Sequence, residues 1–298
     1  MVLLAPKIIG TSLLESAIMG SVVAAVSPAV VVPRMLKLME EGYGKNKSIP
    51  QLIMAGASVD DVFVIVLFSS FTSLAKDSNI SSLRFAEIPV AILLGIVIGT
   101  LVGWLLSAFF KKMHIRSSAK VLIALSLAFL LVAAESWLED IIPFSGLLAV
   151  MAVGIAMLRF HPALALKLSA KFSKLWVAAE VLLFVLVGAT VNVSYALSFG
   201  AKAVILLLFV LLFRMAGVLI CLLGTKLNLR ERLFCIVAYI PKATVQAAIG
   251  GIPLAMGLAC GNVVLTAAVL SILITAPLGA FGIDLLYKKC LSVKADTL

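Results

Sequence analysis

The chain has 298 residues, of which 63% are hydrophobic and 13% charged, with a net charge of +10 and a mean hydropathy of +1.22. A soluble domain carries about 45–50% apolar and about 25% charged residues, so this composition excludes a soluble enzyme, a nucleic-acid-binding protein and a disordered chain. It describes an all-α polytopic membrane protein, because the apolar stretches are about twice the length of a barrel strand and do not alternate in polarity.

Nine apolar segments follow in chain order: residues 12–32, 50–75, 86–110, 118–136, 143–158, 172–190, 200–224, 231–258 and 262–287. Each is near the length that crosses ~30 Å of hydrocarbon at about 1.5 Å per residue, and the fifth is short. The intervening loops alternate in charge. One side holds Arg34, Lys37, Lys45 and Lys47, then Lys111, Lys112, Arg116 and Lys120, then Arg159, Lys167, Lys171 and Lys174, then Lys226, Arg230 and Arg232, then Lys288, Lys289 and Lys294. The other side holds only Lys7, Lys76, Arg84 and Lys202, together with the acidic Glu135, Glu139 and Asp140. This bias predicts a cytoplasmic C-terminus and an N-terminus outside, in a bacterial inner membrane. It also explains the net charge, so no nucleic acid is expected as a partner. Cys221, Cys235, Cys260 and Cys290 lie far apart without a CxxC. They imply neither a disulfide framework nor a metal site, and no cofactor is expected.

The first and eighth segments carry a related pattern. Val22–Val31 can be laid on Ile236–Val245, with Val23, Ala24, Ala29 and Val31 matching Val237, Ala238, Ala243 and Val245. Both copies hold a proline in mid-segment, Pro28 and Pro241. Proline removes a helical hydrogen bond and clashes with the preceding turn, so both spans are expected to be interrupted. The first copy starts outside and the second inside, which predicts an inverted-repeat transporter with its site near the midplane. The second copy has several spans of its own repeat ahead of it and the first has none. Symmetry therefore predicts roughly three further helices before the first span. The opening residues carry no basic n-region or cleavage site of a signal peptide.

Four ionisable residues stand out deep inside spans. Each costs about 2.5–3.5 kcal/mol at mid-bilayer on insertion scales and so demands a reason. Asp60 and Asp61 lie roughly 15 Å into the second span at 1.5 Å per residue. Arg214 is near the middle of the seventh span and Lys242 follows the eighth-span proline. Adjacent helical residues point about 100° apart and do not face the same neighbour, so the two aspartates are expected to have different tasks. One pairs with Arg214 or Lys242; the other stays free in a wet cavity, where it can hold a proton or a small hard cation. Ser27, Ser58 and the carbonyls freed near Pro28 are candidate neighbours. Two crossed breaks bring like helix ends together. Lys242 would offset facing carbonyl ends or take part in proton transfer, and an acidic side chain would offset facing amides. Glu180, in the sixth span, is a secondary candidate as a proton relay, or else pairs with Lys174. His114 and His161 fall in loops, as solvated side chains or pH sensors. Gly95, Gly99 and Gly103 give the third span a face suited to close packing or dimerisation.

The runs Ser27–Pro33, Ala55–Val62 and Ile240–Ala248, with Leu183–Ala189 ahead of Arg214, resemble the cation:proton antiporter superfamily, closest to the NHA-type sodium/proton antiporters. The resemblance implies two inverted five-helix units, a mobile core with two crossed broken helices, a separate dimerisation domain, elevator-like movement and homodimers. It implies that Asp61 binds cation and proton in turn, that Asp60 is the partner acid, and that Arg214 stands where many relatives carry lysine. Residues 1–75 would then be the core helices of an incomplete first repeat and 76–142 linker helices. Residues 143–190 would start the second repeat on the dimer or scaffold side. Residues 191–298 would hold the second core helices and the cytoplasmic C-terminus. Arginine cannot release its proton, so Asp61 alone would cycle one, giving electroneutral exchange unless Lys242 carries a second.

The expected function is Na⁺ or Li⁺ exchange for H⁺. The competing readings are a sodium-coupled symporter of an organic anion and an inactive, N-terminally truncated fragment. An intramembrane aspartyl protease needs its two acids on two helices, and no HExxH or GxSxG motif supports another hydrolase, so no enzyme is expected.

Overall fold

The computed structural model describes residues 1–76, 82–113, 115–138, 142, 144–191 and 193–293. His114, Glu139, Asp140 and Lys294 lie outside the described residues, as do the side chains of Ser58, Lys76 and Arg84. The helices are α1 (Ala5–Ile8), α2 (Leu13–Ala24), α3 (Pro28–Glu40), α4 (Ile49–Lys76), α5 (Ser82–Lys112), α6 (Ser117–Leu138), α7 (Gly146–Phe160), α8 (Pro162–Thr190), α9 (Val193–Cys221), α10 (Leu229–Ala238), α11 (Thr244–Gly250), α12 (Ile252–Ala255) and α13 (Gly261–Cys290). Six stretches are long and apolar enough to span a membrane, and Phe63–Ala75, Gly146–Phe160 and Thr244–Ala255 are shorter apolar helices. Together they account for the nine apolar segments of the sequence. α8 starts well before its apolar segment, because the turns bearing Lys167, Lys171 and Lys174 are helical too.

The chain forms two compact units, one from Met1–Ala75 with Leu183–Leu298 and one from Lys76–Leu182. In the first, α13 is the common neighbour of α2, α3, α9, α10, α11 and α12. One side of its core joins Ile18, Met19, Val22, Phe68, Leu206 and Val264. The other joins Val31, Met35, Ile53, Phe234 and Ile283. Each interrupted helix begins with a capping box, Ser12 with Glu15 for α2 and Asn228 with Glu231 for α10. Each box satisfies two amides that the helix leaves open. Glu231, only 3% exposed, also accepts from Lys47 at 2.7 Å. Arg34 pairs with Asp284 at 3.3 Å and the Gly44 amide donates to the Ser292 carbonyl, which ties α3 to the end of α13.

In the second unit α5 lies along α7. A Cβ at Gly95 would sit 2.7 Å from the Ser145 carbonyl oxygen, and one at Gly99 would overlap the Ala149 backbone. Apolar helices gain little from leaving lipid, so they associate through close contact of this kind. The small-residue face of α5 is thus used within the chain. Leu106, Phe110, Val121, Met157, Leu164 and Leu168 complete this unit's larger core.

Candidate functional site

Pro28 opens α3, and a residue that precedes proline is kept out of the helical region. Ser27 accordingly has φ −86° and ψ 109°, and α2 ends three residues earlier. The second interruption runs from Tyr239 to Ala243 around Pro241, between α10 and α11. The breaks meet: the Ser27 amide donates to the Pro241 carbonyl at 2.8 Å. α13 lies close beneath, since a Cβ at Gly279 would overlap the Pro241 ring. Its Thr275 hydroxyl accepts from the Lys242 amide at 3.0 Å.

A break leaves carbonyls without intrahelical partners at one end and amides at the other, with partial charges of about half a unit. Here the carbonyl ends of α2 and α10 share one cation. Arg214 donates to the Ala24 carbonyl and, at 3.3 Å, to the Tyr239 carbonyl. Lys242, 1% exposed, points its ammonium at the Ala24 and Ala25 carbonyls at 3.4 and 3.2 Å. Gln246, fully buried, donates to Val22 at 3.2 Å and Ala25 at 2.9 Å. On the amide side, Val26 N–H donates to Asp60 Oδ2 at 2.9 Å, and Arg214 reaches the same oxygen at 2.8 Å.

Asp60 is therefore engaged by a cation and an amide. Asp61 contrasts with it: its Oδ1 is buried and has no hydrogen-bond partner among the described residues. The Ser27 hydroxyl is buried and unpartnered in the same sense. Both are hard oxygen donors, which suit a proton or a small cation. Ser58 lies on α4, but its side chain is outside the described residues. Glu180 lies on α8 in the other unit and has no ion-pair partner among the described residues. Sequence reasoning missed Gln246, Thr275 and Tyr239. Gln246 was findable as the lone amide one turn beyond Lys242 in an apolar run. Tyr239, whose hydroxyl a Cβ at Gly56 would overlap, gave no such signal.

Two interrupted helices crossing at a polar site inside an apolar bundle define the architecture of a secondary transporter. Residues 1–289 match the family described as "Sodium/hydrogen exchanger, transmembrane", and the chain belongs to that family. It is 33% identical to sodium/hydrogen exchanger 9B2 of Mus musculus over 279 residues, covering 90% of this chain and 51% of that protein. It is 33% identical to sodium/hydrogen exchanger 9B1 of Homo sapiens over 295 residues, covering 94% and 56%. The chain thus spans about half the length of the curated relatives it matches. Its fold is similar to that of the sodium proton antiporter MjNhaP1 from Methanocaldococcus jannaschii at pH 8, with a TM-score of 0.80 over 96% of this chain and 73% of that one. Identity there is 19%, so that likeness bears on the fold alone.

Proposed function

We propose that the chain exchanges Na⁺ or Li⁺ for H⁺ by alternating access, with Asp61 holding either ion in turn. The observation that carries this reading is the contrast between the neighbouring carboxylates. Asp60 is bound by Arg214 and Val26 N–H, whereas Asp61 presents a buried oxygen with no partner among the described residues. A buried carboxylate with no fixed cation is most stable when it carries a proton or a metal cation. Binding one expels the other, which is the coupling an exchanger needs. Ser27 and Ser58 would add oxygen ligands, and Asp60 with Arg214 would stay a fixed, neutral pair. Lys242 would hold the carbonyl ends of the crossing. Glu180 would be a secondary proton relay.

In this reading residues 1–75 and 191–298 carry the moving core, 76–142 link, and 143–190 belong to the scaffold and dimer side. The protein works as a homodimer in a bacterial inner membrane, with its C-terminus in the cytoplasm. The test is cation-triggered collapse of a pH gradient in inside-out vesicles. Membranes hold the chain or its Asp61→Asn variant, with insertion verified for both. Na⁺-dependent collapse that vanishes in the variant is expected. An inserted wild-type chain that gives no response, alone or with further N-terminal helices supplied, would sink the reading.

A further inference from the structure

We propose that Gln246 is a positioning residue for the two aspartates, acting through the Ala25–Val26 peptide. The Ala25 carbonyl and the Val26 N–H belong to one planar trans unit, so fixing the carbonyl aims the N–H. Gln246 fixes it, with Nε2 2.9 Å from the Ala25 oxygen and 3.2 Å from that of Val22. On the far edge of the same peptide, Val26 N–H meets Asp60 Oδ2 at 2.9 Å. A donor on the carbonyl also polarises the peptide and strengthens its N–H as a donor. With Arg214 on the same oxygen, Asp60 is pinned between a cation and an oriented amide. That sets the rotation of this turn of α4, and with it the direction of Asp61 one residue on.

Two features separate this role from plain packing. Gln246 is fully buried, yet its Oε1 has no hydrogen-bond partner among the described residues. An apolar residue of similar size avoids that unmade bond, so the amide's value lies in its N–H groups. It is also neutral. It therefore adds donors to the Ala25 carbonyl, which Lys242 also faces, and to that of Val22, without adding a third positive charge beside Arg214 and Lys242.

The positioning stands on this geometry; its effect on ion binding rests on the exchange reading above. The test uses the full chain in lipid nanodiscs, with Gln246→Met, Asp60→Asn and the double variant. Two quantities are read: amide hydrogen exchange at Val26, and apparent Na⁺ affinity from the Na⁺-induced rise in melting temperature. Gln246→Met is expected to speed Val26 exchange and to weaken Na⁺ affinity about fivefold, the size of one neutral hydrogen bond. In the Asp60→Asn background the added loss is expected to be smaller, because the two residues act in series and an amide oxygen accepts from Val26 N–H more weakly than a carboxylate. Equal losses in both backgrounds, or Val26 protection unchanged, would overturn the proposal. Should Gln246→Met not fold, Gln246→Leu likewise lacks any donor, and wild-type Val26 protection in it overturns the proposal equally. A wild-type chain without any Na⁺ response defeats the exchange reading, while Val26 exchange still decides this one.

Discussion

Replacing Arg214 by methionine removes the cation that both carbonyl ends and Asp60 share. The variant keeps most of the volume but leaves Asp60 with the Val26 amide as its remaining partner. Breaking a fully buried pair from one side costs about 3–5 kcal/mol. The Arg214 and Asp60 side chains are 20% and 25% exposed, so water recovers part of that. We expect a loss of about 2–3 kcal/mol after this discount, a fall of roughly 3–5 °C in melting temperature for a chain of this size. Adding Asp60→Asn removes the stranded charge. The double variant should therefore melt above Arg214→Met alone, because a neutral amide is cheaper to bury than an unpaired carboxylate. Thermal unfolding in nanodiscs, followed by tryptophan fluorescence, measures all three variants and wild type together. If Arg214→Met melts with wild type, or if the second substitution lowers stability further, the pair does not hold the crossing and the electrostatic account of the breaks is wrong.

Proton and sodium compete for one carboxylate in the proposed cycle, so the apparent KM for Na⁺ should rise as pH falls. The limit is about tenfold per unit for a single competing proton; stopped-flow exchange across a pH series reads the slope, and a KM flat in acid refutes competition. In that proposed cycle Asp61 would be neutralised in both loaded forms and Arg214 would keep its proton, so the exchange rate should ignore membrane potential. Valinomycin-clamped vesicles check this, and a voltage-dependent rate would assign a second proton to Lys242. A Cβ at Gly99 would overlap the Ala149 backbone, so Gly99→Ala should destabilise by about 1–3 kcal/mol. Gly217→Ala, in open space on α9, should be neutral or stabilising by up to about 1 kcal/mol. Comparing their melting temperatures tests whether the α5 glycines serve close packing.

Much of the fold is legible in the amino-acid sequence, and the reasons differ by feature. Apolar length is a property of each segment alone, so all nine segments could be marked from composition. Pro28 and Pro241 act on their own neighbours, which is why both interruptions could be read locally. The capping boxes at Ser12–Glu15 and Asn228–Glu231 are equally local, an S/N-x-x-E signal at the very start of the first and eighth apolar runs that apolar length alone does not reveal. Which aspartate meets Arg214 was open to residue reasoning, since adjacent positions on α4 differ only in rotation. That choice depends on where α9 lies, which is a tertiary fact. Gln246 stands out locally as a lone amide in an apolar run, but its task depends on the carbonyls of α2, far away in the chain.

The strut between the two interruptions, from the Ser27 amide to the Pro241 carbonyl, is built wholly of main-chain atoms. Side chains at those positions can therefore drift during divergence without cutting it. The substitution that deletes the strut itself is Ser27→Pro, which takes away the N–H. For folding, position 27 is accordingly strict in its backbone, while its buried hydroxyl bears on ion binding. A library scan read for folding should find it tolerant of small residues and intolerant of proline, whereas one read for exchange should favour residues that keep a side-chain oxygen.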